Sequence, residues 1–133
     1  MITIEQARAV IAAGEARATE IGIPANIAVL DGAVHLKAFS RMDGALLGSI
    51  DIAIGKARTS ALFGMATQDV GEFCKPGGTS PGLENSNGGL VVFAGGLPIR
   101  DAEGTLIGTV GISGGAVTQD LDIAQAAAAA LGN

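Results

Sequence analysis

Between residues 71 and 89 the chain carries six glycines (Gly71, Gly77, Gly78, Gly82, Gly88 and Gly89) and two prolines, Pro76 and Pro81. Glycine enlarges the backbone's conformational freedom and proline removes a donor, so the sequence predicts no regular element through this stretch. A loop of such length in a compact domain is usually functional or mobile. It also divides the chain into two halves with different patterns.

The first half reads as helix, hairpin, helix. Thr3 and Gln6 have capping-box spacing, and Ile4, Ala7, Val10, Ile11 and Gly14 then recur on one face, with an end near Gly22-Ile23-Pro24. Ile27 to Leu30 and His35 to Phe39 flank Asp31-Gly32, where Asp-Gly is expected to supply the positive φ of a tight turn. Ser49 to Met65 reads as a second helix with a stripe of small residues, Ala53, Ala57, Ser60, Ala61 and Gly64. Such a stripe lets another backbone approach closely, that of the sheet or of a second subunit.

The second half reads as three short strands and a helix. Leu90 to Ala94, Leu97 to Arg100 and Thr105 to Ile112 are the strands, with Asp101 to Gly104 turning between the last two. Thr118 is expected to cap an Ala-rich helix whose early Asp120 and Asp122 suit the helix dipole. The order α-β-β-α-loop-β-β-β-α, with no repeat or linker, predicts one α/β (α+β) domain over residues 1–133.

Composition narrows the function classes. Net charge is -5, and four Phe stand with neither Trp nor Tyr, so phosphate-backbone binding and base stacking are both disfavoured and no nucleic-acid partner is expected. The longest apolar run, Ala126 to Leu131, is far short of the about 18 residues a membrane helix needs. With no basic-then-apolar start and a lone Cys74, the chain reads as soluble and cytoplasmic. A hydrophobic fraction of 48% against 16% charged residues predicts contact surface for a homo-oligomer.

Candidate chemistry is sparse. His35 is the single histidine, so any imidazole role is its own, against the plain alternative of a surface residue. A zinc site from one chain lacks ligands, and no metal site is expected; a haem needs only one or two axial donors and stays open. Met42, Met65 and Cys74 are the other soft atoms, each also explicable as packing or as a loop residue, although Lys75 beside Cys74 would lower a thiol pKa. Arg41, Asp43 and Lys56 cluster near the start of the second helix, either to bind a carboxylate or propionate or as a solvated salt-bridge group. Gly55-Lys56 is no phosphate loop, because the glycine spacing is wrong and Ala57 replaces the Ser or Thr. Gly114-Gly115 before a helix offers N–H groups to an anion.

Several ordered segments carry a family resemblance: Asp31 with His35-Leu36, Arg41 to Ala45, Lys56 to Thr59, Pro81-Gly82, Gly95 to Ile99, and Gly108 to Gly115 followed by Asp120. Together they resemble the GlcG/HbpS family, which includes the C-terminal domain of PduO-type proteins. The resemblance implies a profilin-like fold with a five-stranded antiparallel sheet flanked by helices, assembly from dimer to octamer, and a small-molecule ligand, with haem the implied cofactor. Ligand contacts would fall on His35, Met42, Glu84, Asn85, Gly95, Gly96, Ser113 and Gly114. The chain departs from the family at the hairpin turn, where Val34 stands in place of glycine. An alternative is a cofactor-independent enzyme on a small oxygenated or carboxylated metabolite of a catabolic pathway. There Arg41 would orient the substrate, His35 or Asp43 would move a proton, Lys56 would complete the charged set, and N–H groups at Gly95-Gly96 or Gly114-Gly115 would stabilise negative charge.

Overall fold

In a computed structural model, residues 1–132 form four α-helices and one antiparallel sheet. The order is α1 (Ile4–Ile21), β1 (Asn26–Asp31), β2 (Leu36–Arg41), α2 (Ser49–Phe63), α3 (Thr67–Cys74), a 3-10 turn (Leu83–Asn85), β3 (Gly96–Arg100), β4 (Leu106–Ser113), α4 (Val117–Ala128) and a closing 3-10 turn (Ala129–Leu131). The sheet runs β2-β1-β4-β3, so β1 and β4 are central and β2 and β3 are edges.

Both faces of the sheet are covered, which explains why β1 is buried almost without alternation. Ile27 and Val29 join Val110 and Ile112 in the larger core under α1 and α4, while Ala28 and Leu30 face Ala53 and Ala57 of α2. On α1 the buried stripe is Ala7, Val10, Gly14 and Ala18, and Ile4 at its head remains 39% exposed. The Thr3–Gln6 capping box and a left-handed Gly22 close the two ends of α1 where the sequence places them.

The small-residue stripe of α2 lies on the sheet. A Cβ added to Gly111 would sit 2.0 Å from the Ala53 carbonyl oxygen, so glycine at this point is what permits helix and strand backbones to touch. Thr109 strengthens the seam by donating its hydroxyl to Ala57 O at 2.8 Å.

Four expectations are corrected. The sheet has four strands, not five: Leu90 to Ala94 runs outside it, held by side chains. Thr59 Oγ1 of α2 accepts from Val91 N at 3.2 Å and Glu84 O accepts from Leu90 N at 2.8 Å, so these two donors are met without a partner strand. The glycine-rich stretch is not wholly irregular, since α3 carries Gly71 and ends at Cys74, and Leu83–Asn85 adds a 3-10 turn. In the β1–β2 turn the positive φ falls on Val34 (72°) and not on Gly32, because Asp31 Oδ1 accepts from both Ala33 N and His35 N and fixes the loop. Finally, α4 begins one residue before Thr118; Ala116 is its cap, and Gln119 Oε1 accepts from the Ala116 N–H.

Candidate functional site

The residues singled out from sequence lie in four separate places. At the closed end of the first hairpin, His35 is exposed over 79% of its side chain, and its Nδ1 stands 3.7 Å from Asp31 Oδ1. The Asp31 carboxyl is held below its ordinary pKa, first by the hydrogen bond from the His35 backbone N–H. The carboxylate therefore persists beside the imidazole Nδ1, on the side away from Nε2. Leu36 (55% exposed) and Lys37 continue along the same edge strand.

Arg41, Met42 and Asp43 sit at the other end of β2. They line a cleft of about 550 Å³ with Ala18, Ile23 and Pro24, and Met42 also packs on the larger core. His35 and Arg41 are six residues apart along one extended strand, a separation of about 20 Å. One chain does not bring the imidazole and the guanidinium to a common point.

Lys56 joins neither group, which corrects its expected place beside Arg41 and Asp43. It is fully buried: its Nζ donates to Asp120 Oδ2 at 2.9 Å and to Ile112 O at 2.8 Å, and lies 5.1 Å from the centre of the Phe93 ring. Burial pushes the Lys56 pKa down, and the Asp120 carboxylate opposes that shift. An amine so enclosed cannot meet a substrate in this arrangement.

The glycines expected to touch a ligand surround this pair. A Cβ on Gly95 would fall 2.6 Å from Lys56 Nζ, so Gly95 makes room for the buried lysine. Gly96 N donates to Thr67 Oγ1 at 3.0 Å, and Gly114 N and Gly115 N both donate to Asp120 Oδ1, at 3.1 and 2.9 Å. The anion at the head of α4 is the protein's own Asp120. Ser113, buried at the end of β4, pairs with Asn26 in the sheet. The N–H groups that the enzyme reading needs at Gly96, Gly114 and Gly115 are already taken.

Glu84 lies in a second cleft, of about 470 Å³, between α3, the Leu83–Asn85 turn and the Val92–Ala94 segment. It faces the Cys74 thiol, whose pKa is raised, first by desolvation and then by Glu84. Lys75, expected to activate that thiol, is instead paired with Glu72. Asn85 is exposed on the same turn and does not line the cleft. Sequence reasoning missed the pairing role of Asp120 and the place of Phe93. Gly114-Gly115 followed by an acid in the first turn was the available sign of the former; nothing local marked the latter.

Among the described residues no helix is long and apolar enough to cross a membrane, and no group of three or more His, Cys, Asp or Glu could hold a metal ion.

Comparison with known proteins places these features. A 15.0 kDa protein from the dhaT-dhaS intergenic region of Citrobacter freundii is 37% identical over 127 residues, 95% of this chain and 89% of that one. The corrinoid adenosyltransferase PduO of Salmonella typhimurium is 39% identical over 115 residues; the match takes 86% of this chain but 34% of the relative, so the chain spans about a third of it. Among solved structures, a PduOC haem complex superposes with a TM-score of 0.91 at 35% identity, covering 97% of this chain and 94% of the other. A family model described as "Haem degrading protein HbpS-like" matches residues 2–129, and the chain belongs to that HbpS-like family.

Proposed function

We propose that this chain is a small-molecule-binding protein whose ligand is haem, with the His35 imidazole as axial donor. The observation that carries the reading is the state of His35: an exposed side chain, with an ionised Asp31 on the Nδ1 side. A carboxylate behind a ligating imidazole orients the ring. The neighbouring Lys37 fits the same group, because it follows His35 by two residues on the same face of the strand and offers a cation for a propionate. The solved PduOC haem complex shares this fold and supports the choice of ligand.

The other donors fit less well. Met42 packs into the core, Lys56 is committed to Asp120, and the raised pKa of Cys74 disfavours a thiolate ligand. Arg41 lies at the wrong end of β2 to pair a propionate of a haem held by His35. Bound haem supplies redox and oxygen chemistry at its iron. His35 on one chain leaves the outer side of such a ligand facing water, and we assign its cover to a second copy of the chain. Leu36 on the edge strand is the apolar surface available for that contact.

Hemin titration followed at the Soret band tests the reading. Wild type is expected to give a saturable shift that His35→Ala abolishes, that Lys37→Ala weakens and that Arg41→Ala leaves unchanged. A shift unaffected by His35→Ala removes the histidine from the site.

A further inference from the structure

We propose that the second cleft, between α3, the Leu83–Asn85 turn and the Val92–Ala94 segment, binds a small primary ammonium ion with an apolar body. It shares Glu84 with the contacts that the family resemblance implies, but none of its lining is His35 or Lys37, the residues proposed above to hold haem. Its volume of about 470 Å³ lies within the range of small-ligand sites, about 300–1,000 Å³.

Two acceptors set the ligand's chemistry. Glu84 makes no ion pair among the described residues, while the one lysine of the cleft, Lys75, is taken by Glu72. Gln68 also lines the cleft, and its Oε1 is buried with no hydrogen-bond partner. A buried acceptor without a donor is costly, and a carboxylate in the same cleft, met by the Cys74 thiol but by no cation, selects a charged donor over a neutral one. The head of α4, at Val117, does not reverse the sign, because its first turn carries a carboxylate of its own, Asp120, which offsets the positive end of the helix dipole.

The walls set the body. Phe93 is 45% exposed, and Ala94 and Val117 extend the apolar surface beside it. Lys56 Nζ lies 5.1 Å from the centre of the Phe93 ring, so a cation already draws on its π-electrons. The ring is therefore left to apolar contact, and the ammonium goes to Glu84.

Benzylammonium, benzyl alcohol and benzoate, titrated into the full chain and followed by amide chemical shifts, separate head-group charge from body. Benzylammonium is expected to bind about tenfold more tightly than either of the others, the size of one charge-assisted hydrogen bond. The shifts should centre on Cys74, Glu84 and Phe93. Glu84→Gln should erase the preference, and Phe93→Ala should weaken the ammonium and the alcohol alike. Glu5→Gln, on α1 across the sheet, should change nothing. Thermal unfolding checks that each variant is folded. No binding of benzylammonium, equal binding of all three, or a preference that survives Glu84→Gln overturns the proposal. The hemin shift of the His35 site is read separately, so either assignment can fail without the other.

Discussion

Lys56 Nζ stands 2.9 Å from Asp120 Oδ2, with the side chain of one 0% and of the other 3% exposed, and the contact fastens α2 to the head of α4 past the end of the sheet. The pair is hydrogen-bonded on both sides, since Ile112 O takes a second lysine proton and two glycine N–H groups bond the other carboxylate oxygen. A buried pair stabilises little relative to apolar residues of equal volume, but removing one partner strands the other.

The single variants should therefore be severe. Lys56→Met is expected to cost about 3 kcal/mol by leaving Asp120 unpaired, and Asp120→Ala more, because it strands an ammonium and two N–H groups together. Urea unfolding measures both. A loss below about 1 kcal/mol for either, the scale of an exposed pair, would contradict the burial of this contact.

Val34 holds φ of 72° in the β1–β2 turn, a conformation that β-branched residues rarely adopt. Val34→Gly should relieve strain and raise stability by about 1 kcal/mol, seen as a melting temperature higher by a few degrees. An unchanged or lower melting temperature would show that the turn carries no such strain.

Gly111→Ala places a methyl group 2.0 Å from the Ala53 carbonyl oxygen, in a seam where both neighbours are backbone. Neither can move aside as a side chain would. The expected loss is about 3 kcal/mol or more, at the upper end for overpacking, with α2 lifted from the sheet. Hydrogen exchange of the α2 amides reads the lifting directly; native protection in the variant would refute the close approach.

Arg17 grips Asp122 through two bonds of 2.9 Å, linking α1 to α4. The hydrogen bond from Arg17 holds the Asp122 carboxyl below its ordinary value. A folded pKa below the unfolded one, about 3.9, means the contribution is full above that pH and disappears as pH falls through the folded pKa. Wild type should thus be more stable than Asp122→Asn at pH 6, with the gap closing below about pH 3.9. Equal differences at pH 6 and at pH 2.5 would sink the linkage.

Much of the fold was legible because it is set by near neighbours. The Thr3–Gln6 box, the stop at Gly22 and the Asp101–Gly104 turn each depend on residues a few positions apart. The fifth strand was misread because Leu90 to Ala94 has strand-like side chains, while Val91 N is met from across the fold by Thr59 and Leu90 N by Glu84 O. The site was less legible still. Proximity in sequence put Lys56 with Arg41 and Asp43, but α2 turns the lysine inward to Asp120, 64 residues away.

By itself the sequence determined the family, three of the four helices and the hairpin, and the presence of glycines wherever backbones meet, since periodicity, capping and turn chemistry are local and survive without a partner. Tertiary structure alone decided what those glycines approach. Gly95 makes room for Lys56, and Gly111 lets α2 touch the sheet. It alone also separated His35 from Arg41 along a rigid strand, because only the folded sheet fixes distances between residues that the chain places close together.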